Sequence, residues 1–111
     1  MPSKVVESKT SGEEVFKTPL NRIGIVKVLE VDNKSSSDIT ITIQDVFKPS
    51  VTQNNPNPTE VTVNRFVITV KAGTFVNIDF KDGIEILGIC SVVGSVDTSD
   101  CKITVHYDFK Y

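Results

Sequence analysis

The C-terminal stretch Cys101-Lys102-Ile103-Thr104-Val105-His106-Tyr107-Asp108-Phe109-Lys110 decides the fold. Cys101, Ile103, Val105, Tyr107 and Phe109 share one phase, and Lys102, Thr104, His106, Asp108 and Lys110 share the other. Side chains alternate between the two faces of a strand, so this pattern describes a strand with one dry and one wet face. Ile39, Ile41 and Ile43 alternate with Thr40, Thr42 and Gln44 in the same way, and Val76, Ile78 and Phe80 with Asn77, Asp79 and Lys81. No window carries the i, i+3, i+4, i+7 apolar stripe of a helix.

Working outward, turn chemistry divides the chain into about eight strands, near residues 4–9, 13–18, 22–32, 38–48, 60–71, 75–81, 84–92 and 101–110. Ser11-Gly12, Pro19-Leu20-Asn21, the run from Asp32 to Asp38, Ala72-Gly73 and Asp82-Gly83 supply the breaks. That many strands exceed one ordinary sheet and predict an all-β antiparallel β-sandwich of jelly-roll type. Two strands change phase midway. Val61 and Val63 give way to Phe66, Ile68 and Val70, and Ile23 and Ile25 overlap with Val26 and Val28. Such slips predict β-bulges or strands buried on both faces. Residues 48–59, with Gln53-Asn54-Asn55-Pro56-Asn57-Pro58, read as an extended loop because proline fixes φ and restricts the residue before it.

The 111 residues fit a single domain, with residues 1–12 as a candidate N-terminal arm. The 12 basic and 14 acidic residues leave a net charge of −2, and the basic ones are scattered. Binding a phosphate backbone needs clustered cations, so nucleic acid and anionic membrane surfaces are not expected partners. No apolar run approaches the ~20 residues of a membrane span. Met1-Pro2-Ser3-Lys4 leads into polar sequence without a signal-peptide core, so the chain is expected to be made as an intracellular protein or to have lost a leader.

Few residues could carry chemistry. The single histidine, His106, lies in the polar phase of its strand with no nucleophile motif around it, and reads as an exposed strand residue. Cys90 and Cys101 are too few, with one His, for a structural zinc site. They continue apolar phases of strands that could form a hairpin. Either they form a disulfide, which would stabilise the fold by roughly 2–3 kcal/mol, or they are two small buried thiols. Asp97 and Asp100 lack the spacing of a calcium loop. Asn33-Lys34-Ser35 is a formal glycosylation sequon. Phe16, Phe66, Phe80, Tyr107 and Phe109 fit core phases, whereas Phe47, Phe75 and Tyr111 do not. No catalytic residue, metal site or cofactor is expected, and a cupin-type metal enzyme would need several inward histidines.

The order of elements carries a resemblance. Gly12-Glu13-Glu14-Val15-Phe16 is followed by Arg22-Ile23-Gly24-Ile25-Val26-Lys27-Val28-Leu29-Glu30-Val31-Asp32-Asn33, then by Ile39-Thr40-Ile41-Thr42-Ile43-Gln44-Asp45. Val70-Lys71-Ala72-Gly73-Thr74 and Ile103-Thr104-Val105-His106-Tyr107-Asp108-Phe109 complete it. This resembles the small β-sandwich decoration or cement proteins on the capsids of tailed viruses, over most of the chain. The resemblance implies a trimer that reinforces a virion surface by contact with the major capsid protein, without an active site. The cysteine pair is no part of that pattern. Two other classes stay open. A binding module, extracellular or on a cell surface, would use Phe47, Asn54, Asn55, Pro56, Asn57 and Pro58 against a glycan or protein. A filament subunit would donate an arm carrying Val5 and Val6 to a neighbour's sheet edge; the competing expectation is a frayed N-terminus over residues 1–4.

Overall fold

The computed structural model describes residues 2–49 and 58–111. The described residues form eight strands: β1 (Ser3–Ser8), β2 (Glu13–Lys17), β3 (Ile23–Asn33), β4 (Ile39–Phe47), β5 (Val61–Val70), β6 (Thr74–Ile86), β7 (Ile89–Gly94) and β8 (Thr98–Lys110). They make two four-stranded sheets, β1-β8-β3-β6 and β2-β7-β4-β5. Every neighbouring pair is antiparallel. The pairs β1·β8, β2·β7, β3·β6 and β4·β5 are those of one long hairpin, its tip between β4 and β5, rolled so that its strand pairs alternate between two sheets. This is the jelly roll.

Alternation builds the core. Ile39, Ile41 and Ile43 from β4, Leu29 and Val31 from β3, and Ile103 and Val105 from β8 are fully buried between the sheets. Aromatic rings close two of its margins. Phe16 stacks on Tyr107 with centroids 4.4 Å apart and meets Phe109 edge-on at 5.4 Å. Phe66 of β5 meets Phe80 of β6 edge-on at 4.9 Å, where the last strands of the two sheets approach. All five aromatic residues in core phases belong to these contacts. Edge-to-face rings add attraction beyond the area they bury.

Both phase slips are bulges. In β3, Val26 faces Tyr107 while Val28 faces His106, so Lys27 is the extra residue. In β5, Phe66 faces Ile43 while Asn64 faces Gln44, so Arg65 is the extra residue.

The chain departs from the expected strand boundaries after residue 81. Asp82-Gly83 is not a hairpin turn. Gly83 has φ +76° and sits inside β6, where residues 80–83 bulge against the single Lys27 of β3. Positive φ suits a glycine in a bulge as well as in a turn, so the residue alone does not separate them. The chain crosses between sheets at Leu87-Gly88 instead. Gly88 packs so close to β4 that a Cβ there would lie 2.2 Å from the Val46 carbonyl oxygen. Residues 84–92 therefore divide between β6 in one sheet and β7 in the other, and the hairpin between 84–92 and 101–110 does not form.

The cysteines follow from that crossing. Cys90 lies opposite Asp45, and Cys101 lies opposite Asn33. The Asn33 side-chain amide donates to the Val70 carbonyl, and Val70 lies opposite Ile39, so Cys101 sits at the Ile39 end of the sandwich. Ile39 and Asp45 are six residues apart on β4, roughly 20 Å along an extended strand. A disulfide needs Cα atoms within about 7 Å. Both cysteines are free, buried thiols.

Candidate interaction surfaces

The two sheets turn different chemistry outward. On the β1-β8-β3-β6 face, charged residues interlock across strands. Lys102 Nζ lies 2.7 Å from Glu7 Oε1, and Lys110 Nζ lies 2.8 Å from Glu85 Oε2. Glu30 lies 3.2 Å from His106 Nε2 and accepts a bond from Asn77 Nδ2 at 3.1 Å. The bond from Lys102, and then its charge, holds the Glu7 carboxyl below the usual range. His106 is thus part of a cross-strand polar lattice on this face.

The β7-β4-β5 face carries no charge. Its outward residues are Thr40, Thr42, Gln44 and Val46 on β4, Thr62, Asn64, Val67 and Thr69 on β5, and Ile89, Ser91 and Val93 on β7. Neutral groups join the strands here: Thr40 and Thr69 share a hydroxyl bond of 3.0 Å, and Gln44 Nε2 donates to Asn64 Oδ1 at 3.1 Å. Charge returns at its margins, with Glu14 and Lys17 of β2 and with the exposed Asp38, Lys48, Glu60 and Lys71 that flank β4 and β5. Sequence reading assigned Thr40, Thr42 and Gln44 of this face to a wet phase. Their lack of charge was legible there, but which strands would lie side by side was not.

The two charged residues of β4 and β5 turn away from that face. Asp45 occupies the apolar phase of Ile39, Ile41 and Ile43 and is fully buried. Its Oδ2 accepts from Arg65 Nη2 at 2.8 Å and from the Leu87 amide at 2.8 Å, and its Oδ1 accepts from the Gly88 amide at 3.0 Å. Arg65, the bulge residue, thus folds in to neutralise a carboxylate that caps the crossing between sheets. Sequence reading missed this group; the signal was an Asp in the Ile phase. Cys90 is beside it, and burial, with the Asp45 charge added, pushes its thiol up to about 12. Burial first and Asp32 second push Cys101 up as well. Neither thiol has the thiolate character of a nucleophile.

The other sequence candidates are placed as follows. Phe47 is half-buried, with the Arg65 guanidinium 5.9 Å from its ring centroid, and Pro58 is half-buried. Asn54, Asn55, Pro56 and Asn57 lie outside the described residues. Val5 and Val6 belong to β1, which pairs with the chain's own β8 from Ser3 to Ser8; Val6 is buried and Val5 is exposed. The segment is an edge strand of its own sheet, neither a free arm nor frayed from Ser3 onward. Asn33, the sequon asparagine, is fully buried. Its Nδ2 donates to the carbonyls of Ser37 and Val70, and its Oδ1 accepts from Ser35. That nitrogen is not available to a glycan. Asp97 accepts a bond from the Thr10 amide at 2.6 Å, which holds its carboxyl low. Among the described residues no group of three or more His, Cys, Asp and Glu could hold a metal ion. No protein family, curated protein or solved structure matches this chain.

Proposed function

We propose that this chain is a non-enzymatic structural protein that works by laying its neutral β7-β4-β5 face against a protein scaffold, and that this scaffold is the capsid lattice of a tailed virus. The single observation that carries the reading is the charge contrast between the two outer faces. Jelly rolls serve capsid, lectin and metal-enzyme proteins alike, so the fold does not choose among them. The face does narrow the choice. The centres of protein interfaces are depleted of charged side chains, because each desolvated charge must find a partner. A surface of short aliphatic, hydroxyl and amide groups meets that condition, while its lack of cations disfavours nucleic acid. The capsid as scaffold rests on the sequence resemblance.

The test uses purified particles from the source. Antibody against the chain should label their surface in a regular array, and added protein should saturate stripped particles at a fixed ratio. A variant carrying Thr42→Lys and Val67→Glu, with its β-sheet circular dichroism unchanged, should lose that binding. Particles without label, or a variant that binds as well as the parent, would overturn the reading.

A further inference from the structure

The sandwich has four edge strands, β1, β6, β2 and β5. An exposed edge invites strand addition unless charge or proline guards it. β1 carries Lys4 and Glu7, β2 carries Glu13, Glu14 and Lys17, and β6 carries Asp79, Lys81, Asp82 and Glu85. β5 has only Arg65, which is turned inward onto Asp45. Among the described residues no strand pairs with its outer edge.

We propose that two copies of this chain pair antiparallel along the outer edge of β5, about a two-fold axis between Arg65 and Phe66. The occupant is a second copy because the strand is complementary to its own reverse. Two-fold pairing about that point puts Thr62 opposite Thr69 and Asn64 opposite Val67 on the neutral outer side. Val61 meets Val70 and Val63 meets Ile68 on the inner side. Just beyond the strand, Glu60 meets Lys71 at both ends of the interface. Both are exposed, and neither enters an ion pair among the described residues.

The bulge makes this register workable. Residues opposite each other in an antiparallel pair must project to the same face. These numbers differ in parity, so a regular strand would set inner residues against outer ones. The extra residue Arg65 shifts the phase by one at the midpoint and restores the match. An isologous contact needs this reciprocity, with i meeting j and j meeting i. Pairing also covers Phe66 and Ile68, which one copy alone leaves half-buried. The resulting eight-stranded sheet doubles the neutral face. This inference stands apart from the proposed scaffold: the dimer would form whether or not a capsid binds it.

Sedimentation velocity on the full chain, from micromolar to millimolar concentration, tests it. The mass should rise from 12.2 kDa toward twice that value. Lys71→Glu sets like charges opposite each other twice and should weaken the dimer roughly tenfold. The swap Glu60→Lys with Lys71→Glu should restore it to within about threefold. Both sites are exposed, so at concentrations where every form is monomeric the urea midpoint of each variant should match the parent's. A chain monomeric throughout, an oligomer indifferent to Lys71→Glu, or a swap no better than the single change would each overturn the proposal.

Discussion

Arg65 reaches from a bulge in β5 to the fully buried carboxylate of Asp45, donating from Nη2 at 2.8 Å and Nε at 3.2 Å. Asp45 also accepts from the Leu87 and Gly88 amides, so it joins β4, β5 and the crossing from β6 to β7. Asp45→Ala strands a partly buried guanidinium and two backbone donors, and should cost about 3 kcal/mol. Arg65→Ala leaves the carboxylate its two amides and should cost less, about 1–2 kcal/mol. Urea unfolding of both variants and of the double variant should show a coupled pair, with the double change costing less than the sum.

Gly88 is required for space, whereas Gly73 is required only for its backbone angle. A Cβ at Gly88 would meet the Val46 carbonyl oxygen at 2.2 Å, a backbone atom that side-chain motion cannot relieve. A Cβ at Gly73 meets nothing within 4 Å, although φ is +72°. Gly73→Ala should cost about 1 kcal/mol. Gly88→Ala should cost clearly more, about 2–3 kcal/mol. Equal thermal midpoints for the two would contradict this packing.

Cys90 should resist thiol reagents in the native protein at pH 8 and react only on unfolding, as a reagent titration with and without denaturant will read. Its thiol is raised from 9.0 to about 12. The unfolded chain then gives up this proton first as pH rises, so the stabilisation is complete below about pH 9 and is lost through pH 12. The contribution to the slope is at most about 1.4 kcal/mol per pH unit. Cys90→Ala should flatten the alkaline fall in stability relative to the parent. Identical slopes would show that the thiol does not titrate in this way.

Asn33 presents its amide nitrogen to the carbonyls of Ser37, Val70 and Lys71. Asn33→Asp replaces that donor with an oxygen and should cost about 3 kcal/mol. Expressed in a secretory pathway, the folded chain should carry no glycan at Asn33, which intact mass spectrometry checks. A glycosylated, fully folded product would contradict the burial of this side chain.

The local habit of the chain follows from its near-neighbour pattern. Period two in Ile39–Ile43 and Cys101–Phe109, the aromatic residues of the core and the phase slips in β3 and β5 were legible in the sequence, because alternation and its slips are written between near neighbours; that both slips are bulges, at Lys27 and Arg65, was seen only in the fold. Which strand lies beside which emerges only in the folded molecule. Folding drew 84–86 and 89–94 into different sheets, set Cys90 and Cys101 at opposite ends, made residues 3–8 an edge strand and gathered the uncharged outward residues of β4, β5 and β7 into one face. The physical reason is that alternation specifies that a strand has a partner and a buried side, but not the partner's identity. That choice is made by contacts between residues far apart in the chain, such as Asp45 with Leu87, whose local sequence carries no trace of the other.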